Sequence, residues 1–210
     1  MAAMRQRLLV SVALFGGICA LKAETIVSVT GPINSSIELF STEVLDVSWI
    51  QSGEYTDVAI SAFLNGSTPI TAYLTTQVGP GATTSQEIAS AVVTPLGAPF
   101  SLLPLFSIPD LAPGTYFLTL FDASPESMTD GWAQTTSAIL STAPDATLSG
   151  YYDSITASGY PPANMFVFFP QETQQALMFE VTGTAVPEPW EASFISLAIL
   201  GIWALRKRCS

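Results

Sequence analysis

The chain has no histidine, and its six basic residues are all near its ends. Arg5, Arg7 and Lys22 precede Glu24; Arg206, Lys207 and Arg208 follow Glu191. All 17 acidic residues lie from Glu24 to Glu191, so that interval is without a cation. It cannot form a side-chain salt bridge. It cannot neutralise phosphates, which excludes nucleic acid as a partner. Cysteine is also scarce: Cys19 and Cys209 leave the interior with no disulfide to make. Without His, Cys, Lys or Arg, the common nucleophile–base pairs and cationic stabilisers of enzymes are missing. There is no G-x-S-x-G, H-E-x-x-H or Gly-rich phosphate loop. A carboxylate pair of the glycosidase kind is the remaining option. Asp122, Glu126, Asp130, Asp145 and Asp153 are present, but no spacing selects two of them. The expectation is a protein that is not an enzyme and carries no cofactor.

What is present is a period of two. Val58, Ile60, Ala62 and Leu64 fall on one face of a strand; Leu45, Val47 and Trp49 alternate with Asp46 and Ser48. Leu177, Phe179 and Val181 alternate with Met178, Glu180 and Thr182. Pro113-Gly114 feeds a run in which Tyr116, Leu118 and Leu120 share a face. Breakers recur at Gly31-Pro32, Asn65-Gly66, Gly79-Pro80-Gly81, Asp130-Gly131 and Pro161-Pro162. No long 3.6 period occurs outside the termini; Ser85–Val93 suits a short helix or a strand. These patterns predict one all-β domain over 24–185. Its expected form is an antiparallel two-sheet β-sandwich, jelly-roll-like, of about nine strands. A chain of that length can bury one ordinary core.

The two ends differ in kind from this domain. Residues 1–23 have the form of a secretory signal peptide: Arg5 and Arg7, an apolar stretch from Leu8 to Leu21, and Ala23 at the cut, with Ala20 as the alternative. Cys19 invites a lipoprotein reading, which Ile18 opposes because a small residue should stand there. At the other end, Val186-Pro187-Glu188-Pro189 precedes an uncharged run, Ala192–Leu205, and then Arg206, Lys207 and Arg208. The run has 14 residues, against roughly 20 for a comfortable transmembrane helix. Trp190 and Trp203 suit the two headgroup layers, and the basic residues form a positive-inside stop. Bilayer thinning and snorkelling accommodate a short span. The expectation is a C-terminal transmembrane helix over this segment.

This tail, 186–210, resembles the PEP-CTERM sorting domain of exported bacterial proteins. The matching positions are Pro187, Glu188 and Pro189, the apolar segment, and Arg206, Lys207 and Arg208. Trp190 and Glu191 depart from it, small or hydroxyl residues being more usual there. The resemblance implies an exosortase as processing partner. It also implies an inner-membrane-anchored precursor and a final place at the cell surface or in the extracellular matrix, among polysaccharide. Within the domain, Trp132, Tyr151 and Tyr152, together with Tyr160, lie in turn-rich sequence near carboxylates. Exposed aromatics there would suit a neutral glycan, making a carbohydrate-binding module the alternative function. Asp122, Glu126 and Asp130 are weak calcium candidates, hard oxygens without a recognised loop spacing.

Overall fold

The structure, a computed structural model, describes residues 22–39, 43–122, 130–154, 159–165, 167–170 and 176–187. The expected signal peptide, apart from Lys22 and Ala23, and the sorting segment beyond Pro187 lie outside the described residues. Among the described residues no helix is long and apolar enough to cross a membrane.

The described residues form fourteen strands in two antiparallel sheets. The first sheet holds β1 (Glu24–Thr30), β2 (Ser35–Glu38), β4 (Tyr55–Asn65), β7 (Ser101–Leu111), β9 (Gly131–Thr135), β10 (Ile139–Thr142), β13 (Ala176–Leu177) and β14 (Phe179–Ala185). Its main path runs β10-β1-β14-β4-β9-β13, with β7 on the other edge of β4 and β2 on β9. The second sheet holds β3 (Val44–Gln51), β5 (Ile70–Thr75), β6 (Glu87–Val93), β8 (Gly114–Asp122), β11 (Ala146–Ser154) and β12 (Val167–Pro170), in the order β12-β11-β3-β8-β5-β6.

Alternation places the core. Val58, Ile60, Ala62 and Leu64 of β4 are all completely buried, because a strand turns every second side chain to the same face. Leu45, Val47 and Trp49 of β3 and Tyr116, Leu118 and Leu120 of β8 are buried in the same cluster. Trp49 joins the layers: its ring lies 5.6 Å from Tyr116 in its own sheet and 6.2 Å from Phe179 in the other. Each such large apolar side chain contributes about 1.5–3 kcal/mol on burial.

Two tight connections carry the chain between sheets. Gln51 leads from β3 to β4, and Ala112-Pro113 leads from β7 to β8. Gln51 ties them together. Its Oε1 accepts the Trp49 indole N–H at 3.1 Å, and its Nε2 donates to the carbonyls of Gly53, Leu111 and Ala112 at 3.2–3.3 Å. The Tyr116 hydroxyl also donates to the Ala112 carbonyl.

The outer face of the second sheet is covered as well. A short 3-10 turn, Pro161–Asn164, packs on β3 and β8. Tyr160 stands edge-on to Tyr73 at 5.5 Å, and Tyr152 edge-on to Phe117 at 5.6 Å. Asp46 and Ser48 are therefore buried although alternation turns them away from the core.

Two expectations need correction, and one open alternative is decided. Nine strands become fourteen, because β2, β10, β12 and β13 have four residues or fewer and carry little periodic signal. The 177–181 run is two strands. At Met178 the chain shifts partners: its N–H donates to Ala133, and its carbonyl accepts from Phe63 N–H and the Trp132 indole. The Ser85–Val93 stretch is a strand, β6, entered through a 3-10 turn at Thr84–Gln86 with a Thr83/Gln86 capping box.

Candidate functional site

Three places were marked by the sequence: the end of the domain where the sorting motif begins, the aromatic trio, and the acidic trio.

β14 lies between β1 and β4, and the chain leaves it at Ala185. One further bond follows, Val186 N–H to the Glu54 carbonyl at 2.9 Å. Val186 and Pro187 are exposed. They border a cleft of about 310 Å³, closed on its other side by Ser52–Glu54, Pro113 and Asp145. Asp145 is fixed there. Its Oδ1 accepts the Tyr55 hydroxyl at 2.5 Å, and its carbonyl accepts Ser52 N–H at 2.8 Å. Burial, then the bond to Asp145, pushes the Tyr55 phenol up, so it remains a donor across ordinary pH. Glu188, Pro189, Arg206, Lys207 and Arg208 lie outside the described residues.

The aromatic trio does not form a platform, contrary to the expectation that its rings would be exposed together. Trp132 is completely buried in β9, flanked by β2 and β4, with its indole N–H on the Met178 carbonyl at 2.9 Å. Tyr151 and Tyr152 are consecutive on β11, so they face opposite sides of the sheet. Tyr151 packs against the core, while Tyr152 meets Phe117 on the outer face. No single ligand surface holds all three.

Two of the three acids converge. Asp122 at the end of β8 and Asp130 before β9 are both completely buried. The Thr68 hydroxyl donates to Asp122 Oδ2 at 3.1 Å and also contacts Asp130 Oδ2. Asp130 Oδ1 accepts Ser67 N–H at 2.7 Å, and Oδ2 accepts Thr68 N–H at 3.2 Å. Glu126 lies outside the described residues. Among the described residues no group of three His, Cys, Asp or Glu side chains is placed to hold a metal ion. A cation here would compete with donors already in place. Calcium at millimolar concentration is therefore expected to shift the melting temperature no more than magnesium does. A stoichiometric, submicromolar calcium site by calorimetry would overturn this.

Sequence reasoning missed two residues. Thr68 sits in a stretch that signalled only a turn, and nothing local ties it to carboxylates 54 and 62 positions away. Asp46 had the pattern of a solvent-facing residue. It is completely buried, its Oδ2 accepts the Thr119 hydroxyl at 2.7 Å, and its Oδ1 has no partner among the described residues. Burial drives its carboxyl well above the ordinary range, against the opposing bond from Thr119.

No protein-family model matches the chain, and no curated protein matches it.

Proposed function

We propose that the protein is an exported structural component of the cell surface or extracellular matrix, sorted through its C-terminal segment by an exosortase-type enzyme and turning over no substrate. In this reading residues 1–23 are a signal peptide and Ala192–Leu205 a short transmembrane helix. The sandwich, jelly-roll-like in outline, stands outside, and Arg206, Lys207 and Arg208 remain inside. The carrying observation is the order of features after the last strand: an exposed Val186 and Pro187, then Glu188-Pro189, an uncharged segment and three cations. The motif begins one residue after the final sheet bond, so the folded domain does not bury its first proline. The prolines hold the following chain extended and poor in backbone donors, as suits a peptide in an enzyme groove. Glu188 brings the only charge in the motif and is assigned the main specificity contact. The domain's lack of cations and disulfides suits a passive, hydrated matrix among neutral or cation-bridged polysaccharide.

The test is mass spectrometry of the C-terminus of surface-exposed protein from wild-type and Glu188→Ala cells. Wild-type protein is expected to end near the motif. The variant is expected to be exported and to accumulate at full length in the membrane. Replacing Arg206, Lys207 and Arg208 together is expected to weaken membrane retention. Surface protein that still carries Ala192–Ser210 would refute processing.

A further inference from the structure

A strand edge offers unpaired N–H and C=O groups to any other strand, and proteins guard such edges by shortness, proline or charge. Most edges of this domain are guarded. Among the described residues β2, β10, β12 and β13 have four residues or fewer. β7 is long, but Pro104 and Pro109 interrupt its donors. β6 is different. It ends the second sheet and, among the described residues, pairs with β5 alone. It runs for seven residues, Glu87–Val93, with no proline and no glycine. Its side chains alternate cleanly. Ala89, Ala91 and Val93 pack against the core, while Ile88, Ser90 and Val92 are exposed, Val92 to 66%. A bare edge with exposed β-branched side chains fits the addition of another strand.

The residues of β6 also say which strand it fits. Read outward from Ser90, the stretch Ile88-Ala89-Ser90-Ala91-Val92 is close to its own mirror image. We propose that β6 pairs antiparallel with β6 of a second copy of this chain, about a two-fold axis at Ser90. In that register Ile88 lies opposite the partner's Val92, Ala89 opposite the partner's Ala91, and Ser90 opposite the partner's Ser90. Large apolar side chains then meet each other on the outer face, and small ones meet on the core side. Charge selects the same arrangement. Glu87 is the only ionisable residue of the strand, and no charged residue follows it until Asp110. Two acidic domains can therefore approach along this edge without opposing carboxylates. Antiparallel pairing sets Glu87 opposite the partner's Val93. The two Glu87 residues then stand about 20 Å apart, beyond the screening length of about 8 Å at physiological salt. Parallel pairing would set them side by side. Each copy has one β6, so the contact is isologous and closes at two copies. It joins the two second sheets into one continuous sheet.

The experiment is sedimentation equilibrium of the full-length protein in mild detergent, from about 1 to about 100 µM, the range suited to a small interface. The mass is expected to rise to twice that of the chain and to stop there. Added salt should favour the dimer, because both copies are acidic. Ser90→Lys and Ser90→Glu change an exposed side chain and should leave the melting temperature where it is. Each variant alone should associate at least about tenfold more weakly, since like charges then meet at the axis. Mixed together, the two should associate at least as well as wild type, and native mass spectrometry should show mixed pairs. A wild type that stays monomeric throughout, or that grows past two copies, overturns the proposal. So does association that Ser90→Lys leaves intact, which would place the contact elsewhere in the chain. Should the Ser90 variants fail to fold, Val92→Lys must weaken the dimer in the same way.

Discussion

Replacing Trp49 with alanine is expected to cost about 3–5 kcal/mol of stability, enough to leave many single domains largely unfolded. Trp49 is completely buried and touches aromatic rings in both sheets, Tyr116 beside it and Phe179 across the core. Removing it opens a cavity at the point where the layers are pinned together. It also strips Gln51 of the indole donor that orients it toward the two inter-sheet connections. Trp49→Phe separates these effects. It keeps much of the packing but leaves Gln51 Oε1 buried without its donor. Its penalty should be nearer 1–3 kcal/mol, the cost of an unsatisfied buried acceptor. Chemical denaturation of wild type and both variants measures the difference. A Trp49→Ala protein within about 1 kcal/mol of wild type would remove this residue from the centre of the core.

Asp46→Asn is expected to raise the melting temperature at pH 8 and to flatten its dependence on pH. The folded protein holds the Asp46 carboxyl well above its ordinary 3.8, chiefly through burial. The folded state therefore binds this proton more tightly than the unfolded state. That contribution is complete below the unfolded value and is lost as pH rises through the folded one. Glu43 is raised in the same direction, by burial first and then by Asp153 and Glu38; Asp153 is raised by burial, against a bond from Ser154. Wild type should thus melt higher at pH 5 than at pH 8. Lys22, exposed, is the only cation among the described residues, so added salt should help near neutrality by screening carboxylate repulsion. Asparagine cannot ionise and still accepts the Thr119 hydroxyl. The expected gain at pH 8 is about 1–3 kcal/mol, or roughly 3–10 °C. Calorimetric scans at pH 5 and pH 8 decide it; a wild type more stable at pH 8 in low salt would reverse the sign of the whole account.

The sequence revealed faces better than neighbours. The inward residues of β4, β3 and β8 follow from alternation alone, and all are buried as the pattern requires. What alternation cannot say is whether the opposite face is wet. Asp46 and Ser48 point away from the core, yet Tyr152 and the Tyr160–Asn164 segment, more than 100 positions later, bring the cover. Trp132 failed for the converse reason. Turn residues surround it in sequence, but β9 is an interior strand and its ring turns inward. The Thr68 cluster depends on three connections converging, and no local pattern encodes that. Only the exit at Val186-Pro187 could be foreseen, because a strand pattern must stop where prolines begin.

The last strand, β14, occupies an interior position of its sheet, with β1 on one side and β4 on the other. During synthesis β1 and β4 emerge long before the strand that separates them. Until Phe179–Ala185 arrives, each waits with an unfilled edge, and those edges are separated by a gap one strand wide. Closing this sheet therefore requires an insertion that no earlier segment can perform. It is a slow, long-range closure of the kind that limits folding rate in β proteins. It also acts as a completeness check: a chain truncated before residue 179 leaves an open sheet exposed to unwanted pairing with other chains.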